Sequence, residues 1–376
     1  MRPEEILTGL IRFRTEAPPG NEEACAKYIA DYVNDLRLDD CECKIHKFAP
    51  RRANLVVRIG PRNAPGLLLS GHIDTVPAGD TNLWVSDPFE PSIRDGKMFG
   101  RGAADMKGGL AAMLSSLESV KKRKLRRMLV LVATAGEEIK FDGLQMLLKS
   151  GGLDKKDALH GIVGEPSNLE IIRAHKGGTL FEVSFHGRSA HASRPELGIN
   201  AIECASRFVT DLETVKEELA LVHHPDLGST VLAVTLIRGG IKMNIIPDKC
   251  VLTIDCRRIP FHSPENIWDS IQRNLRRLRD ANPGLSTSVR MTFSSVPLSL
   301  PENHEFVRMV ERILNKKSTV APFGTEASIY CQIGIPTLVL GPGSIEQAHV
   351  PNEFVDIIQL KKAATMYRQL IRGACS

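Results

Sequence analysis

No apolar run in this chain of 376 residues approaches the roughly 20 residues a membrane-spanning helix needs. The opening MRPEEILTGLIRF patterns as an amphipathic helix rather than a signal peptide, so neither a membrane partner nor a leader is expected. Internal repeats and low-complexity segments are lacking too. HExxH is missing; the nearest match, at His304, has Arg308 in place of the second histidine. GxSxG is absent, which argues against an α/β-hydrolase serine. GRGAAD at Gly100 starts like a dinucleotide fingerprint but carries Asp105 where the third glycine belongs. The 8 cysteines have no repeated spacing, and Cys41-x-Cys43 has no partner pair. Neither a zinc knuckle nor a disulfide framework is indicated, and reduced thiols in a cytoplasm fit best. Net charge is only +5. Much of it sits in KKRKLRR, Lys121 to Arg127, which reads as a solvated helix end guarding the strand after it. No aromatic or fold motif of a nucleic-acid binder accompanies that run, so no nucleic-acid partner is expected.

What remains is an ordinary globular composition, 42% hydrophobic and 25% charged, in a chain long enough for two domains. Short apolar runs at NLVVRIG (Asn54–Gly60), GLLLSGHI (Gly66–Ile73), MLVLVATA (Met128–Ala135) and HGIVGE (His160–Glu165) alternate with helical stretches. The helices fit Glu22–Leu36, capped by Asn21, and Lys107–Val120. Such alternation predicts a mostly parallel sheet covered by helices, an α/β fold. After Glu170 the style changes: TLFEVSFHG, a helix over Asn200–Leu219, two alternating strands STVLAVTLIRGG and DKCVLTIDCRRI, a helix over Pro264–Arg279, and STSVRMTF. That order, β-α-β-β-α-β, is the ferredoxin-like unit. From about Val296 the first style resumes, with a helix at Glu305–Asn315 and the strand PTLVLG. The economical reading is a discontinuous domain over 1–170 and 296–376 with a smaller one, 171–295, inserted.

Histidines and carboxylates recur just past the C-terminal ends of these strands. His72 and Asp74 follow LLLS, Glu137 and Glu138 follow MLVLVATAG, Glu165 closes GIVGE, and His349 follows TLVLGPGSIEQA. Asp105 opens a helix. Ligands of open α/β sheets collect at that edge. Two histidines and several carboxylates converging there suit two zinc-like ions about 3.5–4 Å apart, with one carboxylate bridging and another left free to move protons. Residues two apart on a strand share a face, so Asp74 is placed to take a proton from one ring nitrogen of His72 and free the other for a metal. Helix capping alone also gathers acidic residues, and is the competing reading.

GHIDTVP, GRGAADMKGG, ATAGEE, GEPS, GRSAH, MNIIPD and QAHVPNE, in this order over nearly the whole chain, resemble one family. It comprises the dinuclear zinc hydrolases that include acetylornithine deacetylase, succinyl-diaminopimelate desuccinylase, aminoacylase and glutamate carboxypeptidase. The resemblance implies a zinc-exopeptidase-type catalytic domain with an inserted lid and dimerisation domain, hence a homodimer. It makes His72, Asp105 and Glu165 the ligands of one ion, and Asp105, Glu138 and His349 those of the other. Asp105 would bridge, Asp74 would orient His72, and Glu137 would be the general base. A cis peptide is implied at Asp105–Met106. His191 would reach the partner's active site and polarise the scissile carbonyl, while Arg257 and Asn244 would grip the substrate carboxylate. Arg257 on an ordinary strand surface is the competing reading. His175 reads as a structural hydrogen bonder.

Within the family, RAHKG, GINAIE, GTEA at Gly324 and LVLGPGSIEQAHVPNEF lean toward acetylornithine deacetylase; GRGAADMKGG leans toward the desuccinylase. The expected reaction is hydrolysis of N2-acetylornithine to ornithine and acetate, with Zn2+ as the natural metal and Co2+ possible in its place. A desuccinylase, a broader N-acyl amino acid hydrolase and a non-catalytic binding protein on the same fold are the rivals. An intact Glu137 beside a full ligand set opposes the last of these. The δ-ammonium of ornithine calls for a carboxylate or carbonyl, and Glu326, beside Gly324 in FGTEAS, is the candidate. Its competing role is to cap the next helix or to pack against the metal loop.

Overall fold

The computed structural model describes every residue except Lys122, which lies within the basic run Lys121 to Arg127. The chain divides into two compact units. One comprises Met1–Arg173, Leu300–Thr319 and Thr325–Ser376; the other comprises Ala174–Ser299 and Val320–Gly324.

The first unit is built on a mixed sheet. Leu129–Thr134, Gly66–His72, Ala158–Val163 and Thr337–Val339 lie side by side in parallel. Every residue of Gly66–His72 and Leu129–Thr134 is buried, as strands covered on both faces must be. The flanks depart from the mostly parallel expectation. Arg52–Ile59 runs antiparallel to Leu129–Thr134, Cys41–Ala49 runs antiparallel to Arg52–Ile59, and Val339 pairs antiparallel with Ile172. For Cys41–Ala49 and Arg52–Ile59 the reason is the connection: the hairpin at Pro50 and Arg51 is too short for the crossover a parallel pair requires.

Lys107–Ser116 packs on Gly66–His72 and on the helices Pro3–Ile11 and Ile357–Cys375, filling the core with Leu110, Met113, Leu114 and Tyr367. Its last expected turn, Leu117–Val120, tightens to 3-10 geometry. Asn21 precedes the helix Glu22–Asp35 but makes no side-chain cap, contrary to the sequence expectation. Its φ of −160° and ψ of 44° depart from the extended backbone that a capping side chain normally uses.

In the second unit, Val231–Gly239, Lys249–Arg258, Gly177–His186 and Ser286–Ser294 pair antiparallel in that spatial order. With the helices Ala201–Ala220 and Pro264–Ala281 this gives the ferredoxin-like β-α-β-β-α-β arrangement. Alternate residues of the two inner strands point into a core holding Phe181, Phe185, Phe208, Leu252 and Ile271. The helices are capped by Asn200, which accepts from the Ile202 and Glu203 amides, and by Ser263, which accepts from Asn266. Val231–Gly239 is an edge strand, with Leu236 and Ile237 half exposed.

Leu131 is fully buried at the centre of the parallel strands, whereas Leu221 is 86% exposed. Leu131→Ala should cost about 2–5 kcal/mol by loss of contacts plus cavity, and Leu221→Ala less than about 0.5 kcal/mol. Urea denaturation midpoints test the pair; similar small shifts for both would contradict the packing described.

Candidate metal centre at the strand ends

His72 ends its strand, and its ring is fixed by the main chain. Nδ1 lies 2.9 Å from the Asp74 carbonyl oxygen, and 3.7 Å from the nearer Asp74 carboxylate oxygen. A carbonyl can only accept, so Nδ1 donates to it, and Nε2 is the nitrogen that a metal would take once it gives up its proton. Nε2 points at Asp105 Oδ1, 3.0 Å away, and Glu165 Oε1, 3.6 Å away. The orienting group is therefore the peptide carbonyl of Asp74, not its carboxylate as the sequence suggested. The carboxylate instead turns to the next loop. Its two oxygens accept from the amides of Glu137 at 3.2 Å and Glu138 at 3.1 Å, where donors at a helical N-terminus need an anion.

Glu137 and Glu138 begin a single helical turn, Glu137–Lys140. Gly136 precedes it at φ +72°, and a Cβ there would sit 1.7 Å from Asp142 Oδ1 and 2.5 Å from Arg52 Nη2. Only glycine fits. Arg52 in turn pairs with buried Glu22 at 2.9 Å and with Asp142 at 2.6 Å, anchoring the turn to the strand beneath.

Asp105 lies between the two histidines. Oδ1 faces His72, and Oδ2 lies 3.3 Å from His349 Nε2. The same nitrogen lies 3.2 and 3.1 Å from the two Glu138 oxygens. The Asp105–Met106 peptide is cis, and His349 has φ +63°. Ligand atoms of His72, Asp105 and Glu165 lie within 4.8 Å of one another, as do those of Asp105, Glu138 and His349.

Burial holds the carboxyls of Glu137, Glu138 and Glu165 above their ordinary range, and neighbouring carboxylates add to the shift. Asp105 goes the other way: His349 and His72 overcome its burial and hold it ionised. Hydrogen bonds that His349 donates to Asp105 and Glu138 push it up to about 10. His72 is also raised, since Glu165, Asp105 and Asp74 together outweigh its burial. So dense an anionic cluster fits divalent cations. Each oxygen of Asp105 faces a different imidazole nitrogen, and each imidazole has a further carboxylate beside it, which is the donor set two ions sharing one carboxylate would need.

The description "Peptidase family M20/M25/M40" matches residues 68–373. The chain belongs to that family. It is accordingly a metal-dependent hydrolase of amide bonds. Among curated M20 relatives, it is 34% identical to the acetylornithine deacetylase of Shigella sonnei over 98% of this chain and 96% of that protein. It is 35% identical to the acetylornithine deacetylase of Proteus mirabilis over 86% of this chain and 82% of that protein. An M20 metallo-carboxypeptidase from Sulfolobus solfataricus shares the fold at TM-score 0.81 and 18% identity, with 99% of each chain covered. A dinuclear metal-binding M20 peptidase from Bacillus subtilis does so at TM-score 0.71 and 16% identity, covering 98% of this chain and 96% of that one.

Of the M20 chain's other candidates, Glu326 lies within electrostatic reach of Glu137, His72 and Asp74, and the rest belong to the second unit. Glu326 is 1% exposed; its Oε2 accepts from Thr134 Oγ1 at 2.8 Å, Oε1 has no hydrogen bond among the described residues, and burial pushes the carboxyl up to about 7. Nor does its side chain cap Ala327–Gln332. It lies inside the first unit, buried against Thr134. The second unit holds His191, Asn244, Arg257 and Gly324. His191 is exposed, 2.8 Å from Ser193 Oγ, and the Asn244 carbonyl accepts from the Ala192 amide. Arg257 is half exposed and pairs with Asp255 at 2.9 Å, while its neighbour Arg258 is buried among Thr179, His262 and Ser295. His175 is buried in the same unit, its Nδ1 2.9 Å from the Lys176 carbonyl. Two residues carry more here than the sequence reading gave them, Arg101 and Glu353. Their signal was present, since each is a charged residue inside a recognised motif, GRGAAD or QAHVPNE.

Ligation requires neutral imidazoles and ionised carboxylates, whereas the raised His72 and His349 hold protons at neutral pH in the metal-free protein. Binding of a divalent ion should therefore expel protons, and affinity should fall as pH drops from 8 to 6, roughly tenfold per pH unit for each proton released. Calorimetric titration in buffers of different ionisation enthalpy tests this; binding heats independent of buffer would refute it.

Proposed function

We propose that the protein hydrolyses the amide bond of small N-acyl amino acids at a pair of Zn2+ ions, with N2-acetylornithine as substrate and ornithine and acetate as products. The observation that carries the metal reading is Asp105, whose two oxygens address two separate imidazoles. Support for the substrate comes from the two relatives named for acetylornithine, each at least 34% identical over most of its length. On this reading the step feeds arginine biosynthesis, and the protein works in a cytoplasm. All eight cysteines are free thiols, which supports a reducing compartment; among the described residues no helix is long and apolar enough to cross a membrane.

His72, Asp105 and Glu165 would hold one ion and Asp105, Glu138 and His349 the other. The ions would polarise the substrate carbonyl and acidify water. Glu137 has no assigned ligand duty. Its carboxyl, raised by burial, is poised to take a proton from water and pass it to the departing amine. Arg257, with its half-exposed fork, is proposed to hold the α-carboxylate and Asn244 to assist it, with the Gly324 backbone as a further contact. The second unit is proposed to be the lid and dimerisation domain, with His191 acting in the partner's site. Its open edge strand, with Leu236 and Ile237 at least half exposed, and the segment after it, with Ile241 and Met243 more exposed still, support a dimer.

A panel of N-acetyl, N-succinyl and N-formyl amino acids and dipeptides, each with and without added Zn2+, tests the proposal. Acetylornithine should lead. Glu137→Gln should keep both ions yet lose about 10²–10⁴-fold in kcat, whereas Glu138→Gln should lose one ion. Equal metal loss in both variants would show the two roles to be misassigned. Because Glu326 is buried against Thr134, Glu326→Gln should slow acetylornithine and acetylmethionine by the same factor. A penalty confined to acetylornithine would make it the contact for the δ-ammonium.

A further inference from the structure

Glu353 is fully buried, and each of its carboxylate oxygens accepts two hydrogen bonds. Oε1 takes the amides of Ala104 at 2.8 Å and Asp105 at 3.0 Å. Oε2 takes the Gly102 amide at 2.9 Å and Arg101 Nη1 at 2.7 Å. The Glu353 carbonyl receives a fifth donor, the Gly100 amide, at 3.0 Å. One side chain thus gathers nearly the whole segment from Gly100 to Asp105.

Arg101 extends the same connection in two further directions. Its Nη2 donates to the Pro77 carbonyl at 3.3 Å, five residues beyond His72, and Nη1 also reaches the Val350 carbonyl at 3.4 Å, next to His349. The guanidinium lies over the Trp84 ring, 5.0 Å from its centre. Three loops arrive here from three places in the sequence: the one after His72, the one bearing Asp105 and the one bearing His349. Left alone, the clustered carboxylates would push these loops apart.

We infer that Glu353, through its ion pair with Arg101, is a positioning residue that locks the loops carrying His72, Asp105 and His349 so that Asp105 stands between the two histidines. This rests on the two-ion reading above. Glu353 is not a ligand, because both of its oxygens are taken up by donors. Its action on the ions runs through the Asp105 peptide, whose amide it holds, and through the register of its own loop, four residues past His349. Groups that fix ligands from behind are commonly worth 10–100-fold in metal affinity. In Glu353→Gln the shape survives, but either orientation of the amide sets an NH2 group against a backbone N–H. Glu353→Asp keeps the charge and shortens the reach. Arg101→Lys keeps the cation and loses the fork that spans Glu353 and Pro77.

The test is Zn2+ titration of the full-length metal-free protein by calorimetry, with thermal melting of the same metal-free samples followed by circular dichroism. Wild type should bind two ions. Glu353→Gln should bind at least one of them tenfold or more weakly per folded molecule, Glu353→Asp should recover part of that loss, and Arg101→Lys should show a similar loss. The Arg101→Lys/Glu353→Gln double variant should lose less than the product of the single losses, because both act on the same loops. Wild-type affinity in folded Glu353→Gln and Arg101→Lys would overturn the inference, as would a lowered melting temperature with unchanged affinity. If Glu353→Gln does not fold, Glu353→Asp and Arg101→Lys decide, and wild-type affinity in both overturns it. A wild type that binds no Zn2+ would instead bring down the two-ion reading on which the inference rests.

Discussion

Like charges crowded together are the constraint around which the first unit is organised. Asp74, Asp105, Glu137, Glu138 and Glu165 collect at one end of the parallel strands, and in a partly buried place their mutual repulsion is weakly screened. Such a cluster holds together only if each member is fixed from behind. Asp74 is fixed by the amides of the turn Glu137–Lys140, Asp105 by two histidines and by its own amide, and the turn itself by Arg52 beneath Gly136. The strands bring these groups together; the hydrogen bonds behind them keep them there.

Much of this was legible because the period and the punctuation agreed. Four apolar runs became four strands of the sheet within a residue or two at most ends, and the histidines and carboxylates read past their ends do collect there. What escaped reading depends on neighbours distant in sequence. Cys41–Ala49 is an edge strand with an alternating, half-exposed surface, so its apolar signal is weak. Spacing put Asp74 on the same face as His72, yet spacing cannot say which oxygen meets Nδ1; the helical amides of Glu137 and Glu138, 63 and 64 residues away, settled that. Glu326 lies just before a helix, where sequence alone does not tell a buried side chain from one facing a cleft.

The second unit shows the same division. Its strand order follows from the alternation of short apolar strands with two capped helices, and the strong burial period of Gly177–His186 and Lys249–Arg258 marks them as the inner pair. Val231–Gly239 carries a similar apolar content but leaves much of it in solvent. Composition cannot distinguish an edge strand from an inner one, because the difference lies in what pairs beside it. Adjacent Arg257 and Arg258 make the point at one residue's resolution: pleating sends one outward and the other into a buried hydrogen-bond network.

A contrast between two kinds of buried carboxylate joins these observations. Glu353 has an arginine and three amides on its oxygens; burial still raises its carboxyl, but every oxygen is occupied and nothing remains to bind. Glu165 and Glu138 have an imidazole nearby and their own like-charged neighbours, and their carboxyls are held high. Saturated anions shape a chain; under-compensated ones demand a cation. Sequence displays both simply as glutamate in a glycine- or proline-rich motif, which is why the ligand reading and the positioning reading separate only once the donors around each carboxylate can be counted.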